Sequence, residues 1–483
     1  MTKDMKMIIG GKFVDSSDGA VLKNINPYSG DLIGTVPAAT KEDIEKAAAF
    51  AVEGQKEWSK LRGDEREEII ERFLALLQAN SDDIAILLCQ ESGKSISECR
   101  SEVGLIKPIF RAYISAAATL YGQTIPTNIE KRGSSDFIFT SYEPFGVCAA
   151  IAPFNYPIST MMNKVAPALC AGNSVIMKPA SDTPMSIIPI AALMLKAGVP
   201  SNTIQVITGS GSKLGKWITE TKNISFISLT GSTQVGVQLK RQASTNLQRL
   251  SLELGGNDPL IIFADCDLYK AVGEAISGRI YNCGQICTAS KRFIVENSIK
   301  EKFTHMLIAQ LKKTPGGNPL DENAFYGCMI NGKAADTVEQ QIRDTIALGA
   351  NCVYGGKRIH KTMVEPTVLT DVTKGMPIAR DMEVFGPVFP IIGFDTFEES
   401  LEIANNTVYG LSSGIMTENI HTAFKAVSLL KAGTCVINGT GDYRTSYHAF
   451  GGYKMSGLGR EGAIVTLKEF SEIKSTVFKQ IFK

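Results

Sequence analysis

The chain has 483 residues, more than one domain usually holds, so two or three domains are expected. Hydrophobic residues make up 44% and charged residues 20%, a composition that excludes a disordered chain. Lys and Arg number 50 against 49 Asp and Glu, which removes any bulk electrostatic case for a nucleic-acid or anionic-membrane partner.

The opening residues, MTKDMKMIIGG, lack an apolar core of signal-peptide length. The longest apolar stretch, 187–195, falls far short of the roughly 20 residues of a membrane span. A cytoplasmic protein with free thiols is therefore expected. Residues 7–14 read as a short strand-like segment. Thr40 is placed to cap a helix, with Asp43 three residues on and Ile44, Ala47, Ala48, Ala51 and Val52 at helical spacing. Ile69, Ile70, Phe73, Leu74, Leu76 and Leu77 repeat that pattern, as do Ile84, Leu87 and Leu88.

From Gly146 onward the texture changes. Apolar runs at 147–151, 174–177, 204–207, 224–229 and 250–254 alternate with helical stretches at 186–196, 212–221 and 233–243. A second series follows: a strand at 260–263, a helix at 268–281, a strand at 292–295 and a helix at 299–312, with later strands at 388–394, 411–416 and 434–437. Strands without inside–outside alternation, joined by helices, form a parallel sheet covered on both faces. The prediction is an α/β protein of two doubly wound domains. Gly-Gly pairs at 255–256, 316–317 and 355–356 mark turns, with a domain boundary nearest the first.

The ten cysteines (89, 99, 148, 170, 266, 283, 287, 328, 352 and 435) contain no C-x-x-C pair, and the four histidines (305, 360, 421 and 448) stand far apart. No metal site is expected. Ligands of doubly wound sheets meet the carboxyl ends of strands, and the segments there are distinctive. They are Pro153-Phe154-Asn155-Tyr156-Pro157, Lys178-Pro179-Ala180-Ser181, the glycines of 209–215, and Gly231-Ser232 with Gly236. A strand, glycines and a helix start bring backbone N–H groups against phosphate, although neither glycine run follows G-x-G-x-x-G and each alone is more readily a tight turn. Together they point to a nucleotide cofactor. Glu253 ends an apolar strand and reads either as a general base or as an acid paired with a lysine or a helix end. Within Tyr281-Asn282-Cys283-Gly284-Gln285-Ile286-Cys287-Thr288 a thiol lies among small polar residues; composition does not choose between nucleophile and inert apolar filler.

These segments, in order along the chain, resemble the aldehyde dehydrogenase superfamily. The resemblance rests on PFNYP at 153–157, KPAS at 178–181, FISLTGS at 226–232, LELGG at 252–256, GQICT at 284–288, EVFGP at 383–387, YGLSSG at 409–414 and FGGYKMSGLGREG at 450–462. It implies Cys287 as nucleophile, Glu253 as general base and Asn155 as the side-chain donor to an oxyanion. It also implies that Pro153, Phe154, Gly211, Gly215 and Gly231 line a bound NAD or NADP. Lys178 would meet a ribose, Ser232 the pyrophosphate, Glu383 the nicotinamide ribose and Phe385 the nicotinamide. The partner implied is a small-molecule aldehyde, oxidised to its acid through a thiohemiacetal and a thioester on Cys287.

Two positions depart from many relatives. Ser181 stands where NAD-preferring members place Glu, so NADP+ is expected to be accepted. Ile286 stands where several enzymes of anionic aldehydes place Arg. The loop 438–449 is polar, and Arg444 within it is a candidate to clasp an anionic substrate, or else to face solvent or pair with Asp442. A short polar aldehyde is expected, either an acid semialdehyde or a hydroxyaldehyde. The competing readings are a cysteine hydrolase or transferase using His448 and a structural or binding protein on the same scaffold. By resemblance, residues 1–121 and 142–255 form the cofactor domain with 456–469 packing back on it, 256–455 the catalytic domain, and 122–141 with 470–483 an oligomerisation element. A homodimer or homotetramer is implied.

Overall fold

The computed structural model describes residues 3–482. An eight-stranded sheet runs in the order Gly457–Leu458, Arg249–Glu253, Phe226–Thr230, Val147–Ile151, Ser174–Lys178, Ile204–Val206, Met7–Ile9 and Lys12–Val14. Its five central strands pair in parallel. Four of them, Val147–Ile151, Ser174–Lys178, Ile204–Val206 and Phe226–Thr230, are buried along their whole length, which explains why they show no inside–outside alternation. One face is covered by Trp58, Phe73, Phe110 and Met162, the other by Ile44, Ala47, Leu214 and Leu239. The sequence predicts one strand-like segment over 7–14. The structure turns it into a hairpin, because Gly10 and Gly11 take φ of 59° and 72° and reverse the chain.

The second sheet orders Asn351–Tyr354, Thr367–Thr370, Val388–Phe394, Arg292–Glu296, Pro259–Ile262, Ser412–Met416 and Thr434–Ile437. All its pairs are parallel except the edge strand Asn351–Tyr354. The third notable sheet is antiparallel, with Phe137–Pro144 between Ser471–Phe478 and Thr124–Ile125. Among the described residues no helix is long and apolar enough to cross a membrane.

Thr40 caps Lys41–Lys60 as its sequence predicts: its hydroxyl accepts from the Asp43 N–H at 3.3 Å, and Asp43 returns a bond to the Thr40 N–H at 2.9 Å. Helix Pro157–Cys170 is not among the helices read from the sequence. Ser159, Thr160, Asn163 and Lys164 share one face, but every residue from Pro157 to Leu169 is buried, so that face meets protein rather than solvent.

Register places the functional edge. Ile151 is level with Lys178 and with Leu229, and Thr230 is level with Glu253. Four strands therefore release their loops along one line. From the last of them the chain crosses in five residues, 254–258, to the amino end of Pro259–Ile262 in the second sheet. The carboxyl edge of one sheet thus faces the amino edge of the other. Residues 456–469 lie on the first sheet: Leu458 and Gly457 pair with Leu252 and Glu253, and helix Ala463–Glu469 packs on Ile106–Ala117 and Pro157–Cys170.

Candidate active site

A cavity of about 770 Å³ lies along that shared edge. Asn155, Cys287, Pro153, Phe154, Lys178, Ser181, Gly211, Gly215, Gly231, Ser232, Glu383, Phe385 and Arg444 all line it. Of the site residues that the resemblance implies, only Glu253 is not in the wall.

Two helix starts open onto the cavity. Gly211 begins helix Gly211–Glu220, and Ser232 caps Thr233–Ala243 by accepting from the Val235 N–H at 3.3 Å. Their free N–H groups and the positive ends of their dipoles suit an anion. Lys178 is buried beside them and bonds to no side chain or backbone acceptor among the described residues. Burial pushes its ammonium down to about 8, with Asp182 the opposing charge. Ser181 donates to the Gly209 carbonyl at 2.9 Å and brings no carboxylate here. Phe154 and Phe385 meet edge-on, 6.0 Å between centroids.

The thiol sits on a constrained turn between helix Leu268–Ile280 and strand Arg292–Glu296. Asn282 and Cys283 adopt φ of 50° and 53° and Gly284 follows at 74°, three left-handed residues in succession. A side chain at Gly284 would place its Cβ 2.4 Å from the Gly386 carbonyl carbon, so glycine is required. The Asn282 N–H donates to half-buried Glu98 at 2.6 Å, and its side-chain amide donates to the Asn155 carbonyl at 2.9 Å. Asn155 in turn donates one amide proton to the Gln285 carbonyl at 2.9 Å and keeps the other. Among the described residues no acceptor takes the Cys287 N–H. The Asn155 loop is itself held by Glu102, a buried partner of Lys94, which accepts the N–H groups of Ile158 and Ser159 at 2.9 and 3.0 Å.

Cys287 is partly open to the cavity and Cys283 is fully buried beneath it. Burial pushes the Cys287 thiol up to about 12; Lys291 works against this and Glu253 adds to it. At neutral pH the resting group is the thiol, so a proton acceptor is required.

Glu253 is buried, accepts from the Thr230 hydroxyl at 3.1 Å, and leaves its other oxygen without a partner. Burial first, and the neighbouring Glu461 second, raise it to about 7. Lys164 donates to Thr230 at 2.8 Å and to Glu461 at 2.7 Å, and Arg444 also bonds to Glu461. A run of hydrogen bonds therefore leads from Glu253 to the cavity wall at Arg444. Lys164 and Glu461 are 0% and 2% exposed; removing either one strands a buried charge, at a cost of about 3–5 kcal/mol.

Arg444 departs from one of the two alternatives offered by sequence. Its side chain is still 32% exposed, so the solvent-facing alternative holds in part, but it does not pair with Asp442, which accepts instead from the Thr288 hydroxyl at 2.5 Å. Its guanidinium pairs with Glu461 and lies 4.4 Å from the Phe450 ring centroid. His448 does not line the cavity; its Nδ1 accepts from the Thr445 N–H at 3.0 Å. The structure thus gives Cys287 no histidine partner there. Sequence reading missed Thr230, Lys164, Glu461 and Lys291. Lys164, a lone charge in the otherwise uncharged stretch 157–170, is the one signal that pointed to them.

Accessibility makes the first test. Iodoacetamide at pH 8 is expected to alkylate Cys287 at least about tenfold faster than Cys283, followed by peptide mass spectrometry. Equal rates would place the reactive thiol elsewhere.

A family model described as the aldehyde dehydrogenase family matches residues 13–476. Among solved structures, an aldehyde dehydrogenase from Brucella melitensis biovar abortus 2308 is 36% identical, with a TM-score of 0.95 over 98% of this chain and 97% of that one. An E. coli protein described as an NADP dependent enzyme is 33% identical, with a TM-score of 0.95 over 99% and 98% of the two chains. An NAD-dependent aldehyde dehydrogenase from Sinorhizobium meliloti is 32% identical, with a TM-score of 0.95 over 99% and 95%. With thirteen wall residues and a family match spanning nearly the whole length, the chain belongs to the aldehyde dehydrogenase family.

Proposed function

We propose that this chain oxidises a small polar aldehyde to its carboxylic acid with NAD(P)+, using Cys287 as nucleophile and Glu253 as base. One observation carries the reading. A single cavity holds a thiol beside two unengaged N–H donors at one end, and a buried, unpartnered Lys178 beside two helix starts at the other. The second end fits a dinucleotide: its helix starts suit the pyrophosphate, Lys178 a ribose hydroxyl, and Glu383 the second ribose.

Bound NAD(P)+ supplies the hydride acceptor. The protein's own groups do the rest. Cys287 passes its proton to Glu253, and its sulfur adds to the carbonyl carbon while the carbonyl pair moves to oxygen. The Cys287 N–H and the free Asn155 amide proton donate to that alkoxide; losing one such donor costs about 10²–10³ in rate. Once hydride has left carbon, the sulfur holds a thioester. Glu253 first releases to solvent the proton it took from Cys287. It then takes a proton from water, the water oxygen adds to the thioester carbon, and the thiolate leaves as the acid is released and regains its proton from Glu253.

A polar aldehyde is supported by Tyr156, Asp442, Tyr443 and Arg444 in the cavity wall. The Arg444 charge is already shared with Glu461, which favours a hydroxyaldehyde over an acid semialdehyde. The open edge of Ser471–Phe478, with Ile473 and Val477 exposed, supports pairing with a second copy as a homodimer or homotetramer.

Only the Glu253 carboxylate accepts a proton, and its protonated form persists to about pH 7. kcat/KM is therefore expected to rise with pH through about 7. Lactaldehyde should exceed succinate semialdehyde and hexanal in kcat/KM, read from the absorbance of reduced nicotinamide. Hexanal ahead of both, or no reduced cofactor with any aldehyde, would overturn the reading.

Ser181 sets a second expectation. A 2′-phosphate there meets Lys178 and a hydroxyl rather than an acid, so NADP+ should serve at least comparably with NAD+. Ser181→Glu should shift preference toward NAD+, because a carboxylate bonds the ribose hydroxyls and repels the phosphate. A wild-type preference for NAD+ of about a hundredfold, near 2.7 kcal/mol, would contradict it.

A further inference from the structure

Lys291 has no role in the scheme above, yet its side chain is 0% exposed and ends between the two halves of the site. Its Nζ donates to the Cys287 carbonyl at 2.5 Å and lies 3.5 Å from Glu383 Oε1. It also stands 5.9 Å from the Phe385 ring centroid. The same Glu383 oxygen accepts the Gly256 N–H at 3.2 Å, and the Lys291 N–H donates to the Asp258 carbonyl at 2.8 Å. The ammonium is therefore anchored at its own backbone and shared by the nucleophile's turn and the cofactor-side acid.

Resting on the dehydrogenase reading, we infer that Lys291 is a positioning residue for the oxidation: one buried cation ties the turn carrying Cys287 to Glu383 and sets the thiol against the cofactor. The buried ammonium is held by one short hydrogen bond and one ion pair, and its charge acts through a poorly screened interior. The groups that act on Cys287 from every side are Lys291 and Arg444, which favour the thiolate, and Glu253 and Asp442, which oppose it; the Tyr156 phenol faces the same thiol. Lys291 is the nearest counterweight to burial. Asp258, also buried beside Lys291, offers a purely structural use for the lysine, and the test separates the two.

The test is the pH dependence of Cys287 alkylation by iodoacetamide, followed on the Cys287 peptide with neither aldehyde nor cofactor present, alongside NAD+ and NADP+ dissociation constants. Lys291→Gln retains an N–H donor and removes the charge. Its alkylation midpoint is expected to rise by about one pH unit, an approximately tenfold slower reaction below the midpoint, with weaker cofactor binding. Lys291→Arg should restore both. A wild-type profile and affinity in Lys291→Gln would overturn the inference. If that variant does not fold, Glu383→Gln carries the test: removing the acid that shares the ammonium should move the midpoint down, and an unmoved midpoint would overturn it. Because alkylation needs no turnover, a chain inactive on every aldehyde defeats the dehydrogenase reading and leaves this result standing on its own.

Discussion

A thiol in a cavity walled largely by carbon holds its proton, and the site is arranged around removing it. Burial pushes Cys287 up to about 12, while burial and Glu461 bring Glu253 to about 7. The two groups would be mismatched if each stood alone. Lys291 and Arg444 favour the thiolate, and in the proposed scheme Glu253 receives the proton. Glu461 matters to both, because it raises the base by repulsion and is itself held below the ordinary carboxylate range, against the penalty of burial, by Lys164 and Arg444. Buried charges are costly singly and stable in company, which is why Thr230, Lys164, Glu461 and Arg444 form one connected set.

That arrangement depends on topology. Parallel strands in level register release the 152–157, 179–181, 231–232 and 254–258 loops along one line. The cofactor end obeys the rule that ligands lie at carboxyl ends. The thiol does not: it comes from the amino end of Arg292–Glu296 in the second sheet, brought across by the short 254–258 crossing. Three consecutive left-handed residues, 282–284, aim that turn, and hydrogen bonds from Asn282 to Glu98 and to the Asn155 carbonyl hold its strain in place.

Much of this was legible in the residues. Unalternating runs such as 147–151 showed buried parallel strands, and the Thr40–Asp43 spacing showed a helix start. Composition alone did not choose Cys287 over Cys283; order among the motifs did, and the structure places one thiol at the cavity and the other beneath it. What stayed hidden was relational. Helix 157–170 puts Ser159, Thr160, Asn163 and Lys164 on one face, yet Pro157 to Leu169 are all buried, so its polar stripe does not mark solvent. Arg444 looked like a substrate cation because its partner, Glu461, lies 17 residues away across an isolated bridge between Phe450 and Glu461. Lys291 gave no sign, since a lysine four residues after a cysteine gains meaning only when Glu383 is folded against it.

The account rests on a covalent intermediate at Cys287 whose release needs Glu253. Rapid mixing of the Glu253→Gln variant with aldehyde and cofactor, with parallel mass spectrometry of the Cys287 peptide, reads it directly. The account predicts slowed formation of an acyl adduct on Cys287, because the thiol has lost its proton acceptor, and persistence of the adduct once formed, with at most one equivalent of reduced nicotinamide and little further turnover. Steady turnover at the wild-type rate, or acid formed with no adduct on Cys287, would contradict it.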